Sequence, residues 1–341
     1  MRVIEVADAA TIRKWSDYVA PRTMSVYDLP EWARIVDEAY GIKSHVLAAF
    51  NQDQIVGTLG LFEIKHPLFG HYLTTAVFDT DGGLHFDSPA ARDALAAEAR
   101  TLAARLGVAY LVIRTRAAAL DGFRLDQRYR TAVLDLDGGS EVVWKRLPSK
   151  TRNQVRRGMK EGFTVEAGLD QCDAFFDVFH RHMRDLGSPA HSRAYYKAIV
   201  RHLGERAEFV TVREGNVVVS GALVFRINGT AMNYHTVSLR EYNRRCPNYL
   251  IYWQMIEASC GRGDRAFDMG RSEAGTSAMD FKDNWTPREV VLDYNYFLLK
   301  MKEVPFLNPR NPRFRIATAA WRRLPLAVTK SLGPRLITGL A

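Results

Sequence analysis

"VVSGALVF", residues 218–225, and "IVGTLGLF", residues 55–62, are two apolar runs with small residues at their centres. Their settings match. Each follows another short apolar run across a polar turn: "EFVTVR" and "EGN" before the first, "HVLAAF" and "NQD" before the second. Both pairs read as β-hairpins. After the hairpin at 45–64 comes a helix at about 89–106, opened by Ser-Pro and closed by Gly107, and then the buried strand "YLVIRT". After the hairpin at 208–227 come the strand "AMNYHTVS", a helix opened by Pro247 and closed by glycines, and the strand "RAFDMG". The shared order of hairpin, helix and strand, with a further strand before the helix in the second region, predicts two copies of one module. The expected fold is α/β (α+β) with two tandem domains, 1–145 and 146–304, each a central mixed sheet flanked by helices. Residues 305–341 read as a basic amphipathic tail.

Composition is compatible with this. A chain of 341 residues exceeds one typical core, and 47% hydrophobic with 25% charged residues is ordinary for a globular protein. The net charge of +9 favours polyanionic partners such as RNA, nucleotides or phosphorylated substrates. Cys172, Cys246 and Cys260 are odd in number and far apart. They fit neither a disulfide framework nor a zinc site, so a reducing compartment and no metal are expected. The N-terminus "MRVIEVADAATIRKW" has no long apolar core, and no run approaches the roughly 20 apolar residues of a span. A cytoplasmic location is expected.

Between the two copies lies "LPSKTRNQVRRGMKEGFTVE", residues 147–166. Its middle predicts a helix with Arg152, Arg156 and Lys160 on one face, at i, i+4 and i+8, flanked by Lys150 and Arg157. Such a stripe is either a solvated face or a contact for phosphates. The tail "FRIATAAWRRLPLAVTK" predicts surface helices that pack on the body or meet a membrane surface or partner. In "HRH", His180 and His182 stand at i, i+2, so their rings diverge and no paired site is expected. "DTDGG", residues 79–83, starts like a calcium loop, but Ala90 occupies the position that needs a glutamate, so a turn is expected.

The same 147–166 stretch resembles the linker helix of the FemAB family. "FDMGRSEAGTSAMDFK", residues 267–282, resembles that family's strand, small-residue loop and aromatic-Lys pair. The ending "WRRLPLAVTKSLGP" is similar to the subgroup associated with exosortase and PEP-CTERM surface systems. The resemblance implies two tandem GNAT-like acyltransferase domains. It implies transfer of an aminoacyl or acyl group from aminoacyl-tRNA or acyl-CoA to an amine of a cell-envelope precursor, a peptide or amino sugar. It implies no tightly bound cofactor and no DNA, and it places the transfer site at Phe281 and Lys282. Two alternatives stay open: an acyl-CoA-dependent GNAT N-acetyltransferase, and a non-catalytic binding module of a surface-polysaccharide or protein-sorting system.

The chemistry asks for particular groups. An amine attacking an ester or thioester builds an oxyanion and must lose a proton. Lys282 supplies a compact charge, Phe281 an apolar wall, and Gly275 an approachable loop. Arg240, Arg244 and Arg245, with Asn248 at the opening of a helix, form an expected phosphate site, with Arg152, Arg156 and Lys160 as further contacts. His235, Asp268 and Glu273 are the expected proton acceptors. The turn 240–248 lacks the compact glycine-containing pyrophosphate loop of a standard acetyl-CoA site, which favours tRNA over acyl-CoA.

Overall fold

A computed structural model describes residues 1–78, 80–116, 118–305 and 312–340, without the side chains of 312–315. Asp79 of the calcium-like run and residues 306–311 of the tail lie outside the described residues. The chain forms two compact units.

The first unit comprises Met1–Arg130, Val290–Phe306 and Thr338–Ala341. Its elements are β1 (Arg2–Glu5), α1 (Ala9–Val19), α2 (Pro30–Tyr40), β2 (Lys43–Asn51), β3 (Gln54–His66), β4 (Gly70–Thr74), β5 (Leu84–Phe86), α3 (Pro89–Leu106), β6 (Tyr110–Arg116) and β7 (Arg124–Asp126). The expected hairpin is β2–β3. The Ser88 hydroxyl caps α3 and Gly107 closes it in the left-handed conformation. The face of α3 that carries Leu95, Ala99 and Leu102 packs on Leu47, Leu59, Leu111 and Ile113 of the sheet. Strands β4 and β6 run parallel, Leu73 beside Leu111 and Thr74 beside Val112.

The second unit comprises Thr131–Glu289 and Leu307–Ile337. It holds β8 (Tyr129–Asp135), α4 (Gly139–Arg146), α5 (Ser149–Lys160), β9 (Thr164–Gly168), α6 (Cys172–Leu186), α7 (Arg193–Leu203), β10 (Ala207–Glu214), β11 (Val217–Ile227), β12 (Thr230–Ser238), α8 (Pro247–Gly261), β13 (Ala266–Glu273) and α9 (Ser277–Asp283). Strand order is β8-β13-β12-β11-β10-β9. The sequence of α8 is apolar all round because both its sides are covered: the sheet lies on one and α4 and α5 on the other. Helix α5 can approach α8 so closely only at Gly158, where a Cβ would stand 2.9 Å from the Cys246 carbonyl oxygen and 3.0 Å from Leu250 Cβ. Helices α6 and α7 bring Phe175 and Tyr196 onto Phe209.

The repeat is present in both units: hairpin (β2–β3, β10–β11), strand (β4, β12), helix (α3, α8), strand (β6, β13), with the third and last strands parallel in each. The compact units meet at 130/131 where a boundary at 145 was expected, because Leu134, Leu136 and Val143 pack into the core around α8. The strand β14 (Arg288–Leu298) also departs from the expected division. From Val290 it belongs to the first unit, antiparallel to β6, with Leu292 beside Arg116 and Leu298 beside Tyr110. Two tail helices, α10 (Pro312–Arg323) and α11 (Leu326–Ile337), pack on α6. Among the described residues no helix is long and apolar enough to cross a membrane.

Candidate active site

The parallel strands β12 and β13 are paired over only three residues each, from Thr230 beside Ala266 to Met232 beside Asp268. Beyond that, β12 continues to Ser238 on β11 alone of these two neighbours. A cavity of about 430 Å³ lies there. Its walls are Thr236–Leu239 at the end of β12, His182, Asp185 and Leu186 from α6, Arg240, Asn243 and Cys246 from the turn, Asn248 and Tyr249 from the first turn of α8, and Phe281 from α9. Phe281 is held edge-on against Tyr249 and Tyr252.

One end of this cavity suits an anion. Helix α8 starts at Pro247 with no side-chain cap. Pro247 has no N–H and Leu250 N–H bonds the Cys246 carbonyl at 3.2 Å, which leaves the Asn248 and Tyr249 N–H groups of the first turn without a helical carbonyl one turn back, and the helix dipole adds positive potential. Arg240 is exposed beside them. Arg244 is exposed and has no ion pair among the described residues. Arg245 is committed elsewhere: its guanidinium meets Glu161 and Glu214, both at 2.5 Å, and lies over the Phe163 ring. It ties the turn to the end of α5 and is not available to a phosphate. The stripe on α5 is partly committed too. Arg152 donates to the Trp144 and Lys145 carbonyls, and Arg156 lies over the Trp144 ring, while Lys160 is exposed.

His182 stands in the cavity wall. Its Nδ1 lies 3.0 Å from the Ser238 carbonyl oxygen. A carbonyl only accepts, so Nδ1 carries the hydrogen and the neutral ring keeps its lone pair on Nε2. Burial pushes the His182 pKa down, and the Arg240 charge works in the same direction, so the ring is neutral at pH 7. The divergence expected of "HRH" is observed, since His180 Nε2 instead meets the His191 carbonyl at 2.7 Å. Sequence reasoning asked whether the two rings converge, and so passed over what each one meets alone.

The expected proton acceptors are placed elsewhere. His235 is stacked on Phe179 and near His191, in the aromatic layer of α6 and α7. Burial pushes its pKa down to about 3, and its Nε2 has no hydrogen-bond partner among the described residues. A bulge explains the misplacement. Leu223 pairs with His235 but Val224 with Asn233, so Tyr234 is an extra residue and the in/out alternation breaks. Asp268 is buried and receives the Gly270 N–H at 2.8 Å and the Thr131 hydroxyl. Glu273 ends β13 and does not line the cavity; its carbonyl receives the Thr276 hydroxyl.

Lys282 is only 7% exposed, which is not the geometry of a surface ion pair. Its Nζ donates to the Gly270 carbonyl at 2.5 Å and to the Arg271 carbonyl at 3.2 Å. One of its three N–H donors is left over. Burial lowers its pKa to about 8, opposed by the charge of Asp268 and aided by that of Arg271. The bend that presents these carbonyls requires glycine: Gly270 has φ +77, and a Cβ there would stand 2.9 Å from the Asn233 carbonyl oxygen. Gly270→Ala is therefore expected to destabilise the second unit by about 2–3 kcal/mol, visible as a lower Tm. Unchanged stability would show that the bend tolerates a side chain.

Among the described residues no group of His, Cys, Asp and Glu could hold a metal ion. Burial raises the Cys246 thiol's pKa, and the thiol sits 2.7 Å from Gln154 Oε1, so the cavity wall offers no thiolate.

Residues 149–283 match the family described as "Acetyltransferase (GNAT) domain". None of the curated proteins matches the chain. Among solved structures, FemX is similar at TM-score 0.66 and 14% identity, over 88% of this chain and 98% of that one. A tandem GNAT protein from the clavulanic acid biosynthesis pathway is similar at 0.59 and 14% identity, over 87% and 98%. The C-terminal domain of a lysylphosphatidylglycerol synthetase of Agrobacterium fabrum is similar at 0.55 and 13% identity, over 96% and 97%. The fold is that of tandem GNAT-like units, and the cavity lies inside the stretch that matches the GNAT family.

Proposed function

We propose that this chain is an N-acyltransferase of the FemAB type, which moves an aminoacyl or acyl group to an amine of a cell-envelope precursor. One observation carries the reading: a single cavity joins an uncapped helix N-terminus and Arg240 to a neutral histidine with a free lone pair. The carrier's phosphate sits at α8 and Arg240, and its acyl end reaches Phe281. The amine nitrogen attacks the acyl carbon, the new N–C bond forms, and the ester or thioester bond breaks. The nitrogen's proton goes to His182 Nε2 and then to the leaving oxygen or sulfur. Lys282 follows the lining residue Phe281 but does not itself line the cavity, and its leftover N–H is assigned to the developing oxyanion. The similarity to FemX and to a tandem GNAT protein agrees with this chemistry.

The favoured donor is aminoacyl-tRNA. Residues 240–246 contain no glycine, and a turn of bulky side chains cannot wrap several N–H groups around a pyrophosphate. The charge argument for RNA carries less weight than the sequence implied, because Arg152, Arg156 and Arg245 have partners within the unit. The GNAT match favours the second reading, acyl-CoA. Offering the protein charged tRNA and acetyl-CoA separately, at one stated salt concentration, with amine-bearing envelope precursors, decides between them. Transfer from tRNA is the expected result. Transfer from acetyl-CoA alone reverses the choice of donor, and transfer from neither contradicts the proposal.

A further inference from the structure

Residues 304–341 carry seven of the 47 Lys and Arg and none of the 38 Asp and Glu, so this segment alone supplies +7 of the net +9. Helices α10 and α11 are fixed to the body through one side. Thr318 stands against Gly187, Arg322 donates to the Leu186 carbonyl at 3.0 Å, Lys330 pairs with Asp177 at 2.7 Å, and the buried Gly333 lies against Ala190. The opposite side holds apolar residues in the open: Ile316 is 70% exposed, Leu332 40% and Val328 37%. Arg323 and Arg335 are exposed on the same helices. Nothing in the helix pair's packing on α6 requires large aliphatic side chains on that outer side.

From this face we infer that the tail docks on an anionic membrane surface. A segment with seven cations, of which Lys330 is paired with Asp177, and no carboxylate of its own complements lipid phosphates. Exposed aliphatic side chains between those cations enter the boundary between headgroups and acyl chains, a contact that an RNA backbone does not reward. The helices are already folded on α6, so docking orders no new structure. Leu186 is at once a wall of the donor cavity and the residue whose carbonyl holds Arg322. Docking through the outer side leaves one helix diameter, roughly 10 Å, between Leu186 and the lipid surface, within reach of an amine carried by a membrane-held acceptor. The last step rests on the acyltransferase reading; the docking itself does not.

The test is sedimentation of the full chain with phosphatidylcholine vesicles and with vesicles containing roughly one-third phosphatidylglycerol. Partition onto the anionic vesicles is expected to be at least about tenfold stronger and to fall with added salt. The double variant Ile316→Ser/Leu332→Ser leaves the charge intact and is expected to lose about tenfold in partition, because two exposed apolar anchors are removed. Arg323→Glu is expected to reduce the preference for anionic vesicles. Equal partition onto both vesicles, no partition, or a double variant that binds like wild type would overturn the inference. Donor binding measured without vesicles on the same preparations keeps this result separate from any failure of the acyltransferase reading.

Discussion

Lys282→Met keeps the fold but loses on the order of 100–1000-fold in turnover, the size of effect typical of removing one oxyanion donor. The stability terms oppose each other. Losing the donor to two carbonyls costs about 1–3 kcal/mol for each one left buried. Against this, a lysine whose pKa has fallen to about 8 carries roughly 3 kcal/mol of unfavourable charge burial at neutral pH, and the variant is relieved of it. A large drop in activity at nearly constant Tm is then catalytic in origin. Lys282→Arg is also impaired, because a planar fork does not replace a point charge held by two carbonyls. Wild-type turnover in Lys282→Met would remove the lysine from the mechanism.

The same shift sets a pH dependence. The folded state holds Lys282 at about 8, below the ordinary 10.5, so between these values the unfolded chain binds more protons. Stability contributed by this residue therefore rises with pH across that window and is constant below it. The methionine variant lacks this rise.

His182→Gln loses on the order of 100–10,000-fold in turnover, the range of a general base. Glutamine can still donate to the Ser238 carbonyl, so α6 and β12 remain joined. The pH profile separates a base from a structural residue. In the proposed mechanism activity needs His182 neutral and Lys282 charged. The profile rises at a pH below 6.5, where His182 loses its proton, and falls near 8, where Lys282 loses its own. The rising limb should vanish in His182→Gln and the falling limb in Lys282→Met. A rising limb unchanged in His182→Gln would show that another group takes the proton.

The repeat was legible in the sequence because its signals are local: hairpin turns "NQD" and "EGN", Ser88 and Pro89 opening α3, Gly107 closing it. The division of the chain was not, because it depends on β14 finding β6 more than 170 residues away. The site was legible in part for the same reason. Arg240, Asn248 and Phe281 follow directly from the end of β12, the start of α8 and the loop after β13, and all three line the cavity. Arg245 looks equally basic in sequence, but Glu161 and Glu214, far away in the chain, claim it. His235 was misplaced by a one-residue bulge, and His182 becomes visible only once the Ser238 carbonyl is known to fix its tautomer.

Donor binding tests the account at its centre and needs no acceptor. Wild type, Arg240→Ala and the cavity-filling Thr236→Trp are titrated with charged tRNA and with acetyl-CoA at the same salt concentration. Arg240→Ala is expected to weaken the true donor about tenfold, as loss of one charged phosphate contact does. Thr236→Trp, which blocks the space beside Phe281 and His182, is expected to abolish binding with the fold intact. A donor that binds both variants as tightly as wild type would place the acyl group outside the cavity at the end of β12 and contradict the account.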